Sequence, residues 1–329
     1  MAEPTVLTLP ESFEQAAAFQ FVSTLGANKS APKIEIDFSG LRFSYPFGML
    51  IVAAELRQFA SRRPPGTMFL RGLSAQNGAH TYLAHIGFFE HVGIDYGNKP
   101  GAASGGMSYV PITELRKNDL LQRQSNYGRP IGYAVEQEAQ KLALVLTQKN
   151  DLSINRPVAY CIREIIRNTF EHGETAESVV CAQRWADGEI ELGIIDRGRG
   201  VRRSLAERMA TQSDVEALQL AIQPGVSRSV PAPDDNEWAN SGFGLFVLSE
   251  LGRKYGSFTI CSGGAALVAE AGSVQQNDFA FDGTAVRLRI RKPKGANFEK
   301  LIQEIVIDGE ARTAASEFPR RASKSSKTI

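Results

Sequence analysis

Val158-Ala-Tyr-Cys161-Ile162-Arg163-Glu164-Ile165-Ile166-Arg167-Asn168-Thr169-Phe170-Glu171-His172-Gly173 decides how this chain is read. Val158, Cys161, Ile162, Ile165, Ile166 and Thr169 recur at helical spacing and predict one core-facing stripe. Glu164, Asn168 and His172 lie four apart, so they share a single ridge along the edge of that stripe. Gly173 follows as a helix C-cap. A carboxylate, an amide and an imidazole in line suit the rim of a binding cleft. They equally suit the polar flank of a packed helix, because a spacing of four is easily met by chance.

Three further stretches decide between those readings. Glu189-Ile-Glu-Leu-Gly-Ile-Ile-Asp196 alternates into a buried strand ending in a carboxylate, followed by Arg197-Gly198-Arg199-Gly200. Alternating glycines there suit a backbone passing close to a flat ring, with Asp196 accepting from an exocyclic amine. A tight turn would read the same way. Ser241-Gly242-Phe243-Gly244-Leu245 opens an apolar helix, Phe246 to Leu251, whose N-terminal N–H groups would suit an anion. A glycine-rich cap without a ligand is the alternative. Phe281-Asp282-Gly283-Thr284 leads into a strand in which Val286, Leu288 and Ile290 alternate with Arg287, Arg289 and Arg291. The arginines are expected on a solvated face.

The first hundred residues read as a small α/β unit. A strand is predicted at Lys33–Phe38, a helix from Phe47 to Arg62 stopped by Pro64-Pro65-Gly66, and a strand from Thr67 to Arg71. A short helix carrying Tyr82, Leu83 and Ile86 follows. Gly97 to Gly106 is rich in Gly, Ala and Ser and predicts a boundary. A short strand at Tyr109–Ile112 and a helix at Ala134–Gln148 come next.

The chain has 329 residues, of which 43% are hydrophobic and 22% charged. That length suits two globular domains with substantial cores. Lys and Arg total 37 against 36 Asp and Glu. The balance excludes a nucleic-acid coat for the folded domains, which needs a basic excess. From Arg312 the chain is poor in large apolar residues and holds five basic residues against Glu317, so disorder and a salt-sensitive basic tail are expected there. Cys161, Cys181 and Cys261 stand far apart with no CxxC pair, arguing against a disulfide framework or zinc site and for a reducing, cytoplasmic setting. No signal peptide is expected from Met-Ala-Glu-Pro. No apolar stretch is long enough to span a bilayer.

Taken in order, the motifs resemble the GHKL nucleotide-binding fold shared by gyrase, histidine kinases and mismatch-repair ATPases. Glu164-x-x-x-Asn168-x-x-x-His172-Gly173 looks like its N box, Asp196-x-Gly198-x-Gly200 and Gly242-x-Gly244-Leu245 like its glycine boxes, and Gly283-Thr284 like its closing strand motif. The resemblance implies ATP and Mg²⁺ as ligands. Asp196 would accept from the adenine amino group beside Thr284, and Asn168 would bind Mg²⁺. Gly242 and Gly244 would meet phosphate through backbone N–H groups, and His172 would help hold that end. Glu164 would orient or deprotonate the attacking nucleophile. Val201 to Asn240 would be the lid. Within it Gly225-Val226-Ser227-Arg228 is similar to the anti-sigma-factor serine-kinase branch, and Arg228 would reach phosphate. An orthodox histidine kinase is not implied, since no phosphoacceptor helix pair precedes the domain.

Ile34 to Leu50 resembles the STAS fold of anti-sigma-factor antagonists, but Tyr45-Pro46-Phe47-Gly48 stands where that family has its acceptor serine. Ser44 is expected before the helix and not at its tip. The fold class expected is therefore α/β (α+β). A STAS-like unit covers 1–100 and a linker 101–130. A GHKL sandwich with helices on one face of a mixed sheet covers 131–295, and a partly disordered tail 296–329. The function implied is an ATP- and Mg²⁺-binding signalling regulator that hydrolyses ATP or phosphorylates a partner serine. The alternative is a nucleotide-gated interaction switch with negligible turnover. A protein partner, and room for a homodimer, go with either.

Overall fold

A computed structural model describes residues 3–104, 106, 108–125, 131–147, 152–226, 242–291 and 297–314. The chain divides into two compact units: Met1–Gly106 with Val110–Glu114 and Val179–Gln183, and the remainder.

The first unit alternates strand and helix: β1 (Thr5–Thr8), α1 (Gln15–Ala27), β2 (Ile34–Asp37), α2 (Pro46–Ser61), β3 (Met68–Arg71), α3 (Gly78–His85) and α4 (Phe88–Val92). The strands pair in parallel in the order β1-β2-β3, with Leu7, Ile36 and Leu70 in register. Parallel neighbours need a crossover, and α1 and α2 supply it. Phe13, Phe38, Phe47, Phe88 and Phe89 are fully buried in its core. Asp37 ends β2. Its carboxylate accepts from Ser39 N at 2.9 Å and from Arg71 Nη2 at 2.8 Å. The Arg71 hydrogen bond, then the Ser39 N–H, hold its pKa down to about 2. Ser44 is buried ahead of α2. Gly48 lies in the first turn of α2, where a side chain would strike the carbonyl of Phe13. The glycine therefore permits close packing of helix against chain.

From Tyr109 onward the chain forms β4 (Tyr109–Arg116), α5 (Lys117–Ser125), α6 (Ile131–Thr147), α7 (Leu152–Arg167), β5 (Glu177–Arg184), β6 (Glu189–Asp196), α8 (Gly200–Leu205), α9 (Asp214–Ala221), α10 (Gly244–Tyr255), β7 (Gly256–Glu270), β8 (Ser273–Arg291) and α11 (Phe298–Ala314). One five-stranded sheet runs β4-β5-β6-β8-β7. It is antiparallel, where a mixed sheet was expected. The connections give the reason. β5–β6 and β7–β8 are hairpins, and a hairpin imposes antiparallel pairing. The second turns at Ala271 (φ +47°) and Gly272 (φ +79°), a pair of left-handed residues that matches the strand twist.

Ile190, Leu192 and Ile194 face Ile290, Leu288 and Val286 in register, giving one apolar face. α10 packs on β7 and β8, α7 on α10, and α6 and α11 on α7. The other face departs from expectation. Arg287 is buried, donating to Glu191 at 2.9 Å and to Ser257 Oγ at 3.2 Å. Arg289 donates to Glu189 at 2.5 Å, and Arg291 pairs with Asp187. The run is thus a ladder in which β6 and its turn supply the opposite charges.

Two boundaries also change. β4 and α5 occupy much of the stretch read as a linker. Phe298–Ala314, read as tail, is a helix whose Phe298, Ile302, Ile305 and Val306 are buried. Residues 315–329 lie outside the described set. Burial of Phe298 predicts that Phe298→Ala costs about 3–5 kcal/mol of unfolding free energy in urea. Ile307→Ala, at a residue 65% exposed, should stay within about 0.5 kcal/mol. Equal, small losses at both positions would show that α11 is not part of the core.

Candidate functional site

Helix α7 does not run regularly into Gly173. Asn168–His172 forms a π-helical turn, in which Gly173 N–H donates to Asn168 O at 3.1 Å and to Thr169 O at 3.0 Å. Such turns hold more residues than an α turn and often sit at functional positions. The four-residue register of Glu164 and Asn168 is therefore not continued to position 172, whose side chain lies outside the described set. Gly173 ends the turn with φ −71°, not the left-handed cap expected, and Glu174 takes the positive φ, +53°. A side chain at 173 would press on Thr169 O and Asp196 Oδ1.

One cavity opens beside this turn, enclosing about 760 Å³ with its mouth included. Asn168, Thr169 and Gly173 line it from the end of α7, and Ile194 and Asp196 from β6. Gly200, Val201 and Leu205 come from α8, Gly242, Gly244 and Leu245 from the start of α10, and Ile260, Thr284 and Val286 from β7 and β8. Most of this wall is apolar, and no basic side chain belongs to it among the described residues.

Asp196 is the buried charge of the pocket. Gly198 N donates to its Oδ1 at 2.8 Å, and Thr169 Oγ1 lies 3.4 Å from its Oδ2. Thr284 sits in register across the sheet and offers its backbone N–H. All three donors are neutral. Burial outweighs them and raises the Asp196 pKa from 3.8 to about 6.

The glycines divide by what each one touches. Gly198 does not line the pocket: the carbonyl of Gly173 lies where its side chain would be. Its need for glycine is therefore the turn, and not a flat ring. Gly200 has φ +76° and does line the pocket. The next residue, Val201, donates its N–H to Ser262 Oγ at 2.9 Å, and Ser262 Oγ donates to Gly283 O at 2.7 Å. Ser262 thus ties α8 to β8, a role with no motif to announce it. Gly242 also has φ +76°, and its carbonyl accepts from Gly225 N at 3.1 Å. A side chain on Gly244 would come within 2.5 Å of Glu164 Oε2.

Glu164 itself is buried, but it is not a wall of the cavity. Its Oε1 accepts from Arg163 Nη2 at 2.9 Å and Nε at 3.2 Å, and Arg167 Nη1 lies 3.8 Å away. Its Oε2 is packed against Gly244. The catalytic candidate is thus paired through Oε1 with Arg163. Arg228 and the rest of the expected lid beyond Val226 lie outside the described residues. The earlier part of that stretch holds α8 and α9, with Leu205 packed on Ala217 and Ala221.

Comparison with family models, with curated proteins and with solved structures finds no match. No helix of the described residues is long and apolar enough to cross a membrane.

The raised pKa of Asp196 gives a signed prediction. A carboxyl that titrates higher folded than unfolded favours folding most in its protonated form. That stability is full below about pH 4 and is lost as pH rises through 6. Asp196→Asn should therefore raise stability at pH 8 by up to about 3 kcal/mol, and the gain should vanish by pH 3.5. Urea unfolding at both pH values measures it. A gain or loss independent of pH would mean that Asp196 is not held at a penalty.

Proposed function

We propose that this cavity binds ATP with Mg²⁺ and that the protein is a signalling regulator of the histidine-kinase-like ATPase type. One observation carries the reading. Four segments far apart in the chain, ending at Asn168, Asp196, Gly244 and Thr284, supply the wall of one cavity. Chance motif matches have no reason to converge.

The chemistry of the wall fits a purine nucleotide. Ile194, Val201, Leu205, Ile260 and Val286 offer apolar faces to a flat ring. Asp196, already held by neutral donors, is placed to accept from an exocyclic amine. Gly242 and Gly244 flank the start of α10, where the positive helix end favours phosphate. Among the described residues there is no group of three or more His, Cys, Asp or Glu for a metal. Mg²⁺ suits such a site, because it commonly takes few protein ligands and completes its shell with phosphate oxygens and water. Asn168 would be the protein ligand. ATP so held supplies a transferable phosphoryl group. On this reading the first unit, proposed as STAS-like, presents the surface met by a protein partner, in the cytoplasm.

Glu164 favours the second reading, a nucleotide-gated switch with slow turnover. Its carboxylate is paired with Arg163 and excluded from the wall, so as it stands it cannot reach a nucleophile.

Calorimetry with ATP, with and without Mg²⁺, tests the proposal. Wild type should bind, and Mg²⁺ should strengthen binding. Asn168→Ala should remove the Mg²⁺ dependence. Asp196→Asn should weaken ATP binding by about 10- to 100-fold while leaving the fold intact, as loss of a charge-assisted hydrogen bond implies. Wild-type affinity should fall as pH drops through about 6, where the Asp196 carboxylate takes up its proton. ATP affinity unchanged by Asp196→Asn would overturn the adenine role.

A further inference from the structure

The engagement of Glu164 has an identifiable cause. Arg163 is the next residue in α7, and its guanidinium spans two carboxylates. Nε and Nη2 point to Glu164 Oε1 at 3.2 and 2.9 Å, while Nη1 reaches Glu136 Oε2 on α6 at 3.2 Å. The same guanidinium lies over the Tyr160 ring at 4.9 Å. Arg163 and Glu164 are 6% and 5% exposed. A planar fork held by three partners is a stiff clamp, and little water screens it.

The backbone position of Glu164 tells a different story from its side chain. It sits one helical turn before Asn168, which does line the cavity. A change of rotamer, with no movement of α7, would turn its carboxylate past Gly244 and into the cavity. Three contacts oppose that turn: the Arg163 fork on Oε1, Arg167 Nη1 at 3.8 Å from the same oxygen, and the packing of Gly244 on Oε2.

Resting on the nucleotide reading, we propose that Arg163 is a positioning residue that holds Glu164 out of the cavity and so acts as a brake on ATP hydrolysis. In that hydrolysis the water oxygen bonds to the γ-phosphorus. The bond to the β–γ bridging oxygen breaks with its electron pair going to ADP, and Glu164 takes the water proton. Arg163 touches none of the reacting atoms. It sets the fraction of protein in which Glu164 is free to act. Glu136 competes for the same guanidinium, so a movement of α6 that draws Arg163 toward Glu136 would release the brake. A partner acting on α6 would thereby control turnover.

Arg163→Met removes the clamp, and Arg163→Lys keeps the charge but loses the fork. Steady-state hydrolysis and ATP affinity are measured for both. Arg163→Met should raise kcat by roughly 10- to 100-fold, within the usual range for a general base. Arg163→Lys should raise it less, and ATP affinity should stay at the wild-type value. Adding Glu164→Gln should abolish the rise. A second readout needs no nucleotide. Melting temperatures of Arg163→Met, Glu164→Gln and the double variant form a cycle, and the double variant should fall by less than the two single shifts combined. Turnover at or below wild type in both Arg163 variants, with ATP still bound, overturns the brake. Additive melting shifts overturn it too. Failure of wild type to bind ATP overturns the nucleotide reading itself, while the melting cycle still reports whether the clamp exists.

Discussion

The hydrogen bonds around the Asp196 carboxylate join three elements that are far apart in sequence. Thr169 brings the end of α7, Gly198 the turn after β6, and Thr284 the facing residue of β8. Moving any one of them would leave a buried carboxylate short of donors, which is costly. The cavity therefore has its shape because this group must be satisfied. The π turn at Asn168–His172 fits the same requirement. It carries the chain from Thr169 to Gly173, whose carbonyl then accepts from Arg199 N at 2.9 Å and closes the loop after β6.

The close approaches around this centre explain the glycines better than ligand contact does. Gly173, Gly198 and Gly283 each lie where a side chain would strike the Asp196 strand end or its neighbouring loop. Gly252 and Gly256 do the same job at the other end of α10, where the helix passes directly into β7 against the Phe258 and Arg289 backbones. A glycine box is thus partly a packing device. Gly200, Gly242 and Gly244 remain as walls of the cavity, and among them Gly244 is also held by its contact with Glu164.

Much of this was legible in the residues, and what was not has physical reasons. The strands β2, β3 and β6 and the helices α2, α6 and α7 showed in their apolar runs and in the Gly and Pro residues that bound them, although β6 and most of α2 are buried on more than one face. Asn168, Asp196, Gly200, Gly242, Gly244, Leu245 and Thr284 do line one cavity. Ser262 could not be singled out, and Thr169 was placed only in the core stripe, since a hydroxyl's partner depends on tertiary placement. Glu164 was read by its neighbours along the helix, but the Arg163 fork that holds it is a matter of rotamer. The arginines of β8 looked solvated because alternation reveals two faces and not what lies opposite: Glu189 and Glu191 stand nearly a hundred residues away in the chain. β1, α1 and α11 were passed over. For α1 the signal was present in Ala18, Phe21, Val22 and Leu25, a buried helical stripe.

Two aspartates make the electrostatic argument for the site. Asp37 and Asp196 each end a central strand, and each accepts from the N–H two residues on. Asp37 also has a cation, Arg71, whose hydrogen bond drives its pKa down to about 2. Its charge is satisfied within the fold, so it serves as an anchor. Asp196 has neutral donors at hydrogen-bond distance, with the Arg197 charge contributing least, and burial lifts it to about 6. A fold that needed Asp196 only as an anchor would gain by placing a cation beside it, as the first unit does. Keeping a carboxylate at a penalty on the wall of an apolar cavity fits the ligand-accepting role proposed for it. The two arginines of the loop after β6 are committed elsewhere: Arg197 stacks on Phe281 at 4.4 Å, and Arg199 pairs with Glu174 and Glu207. That arrangement leaves Asp196 available to an incoming donor and gives the proposed adenine contact its physical basis.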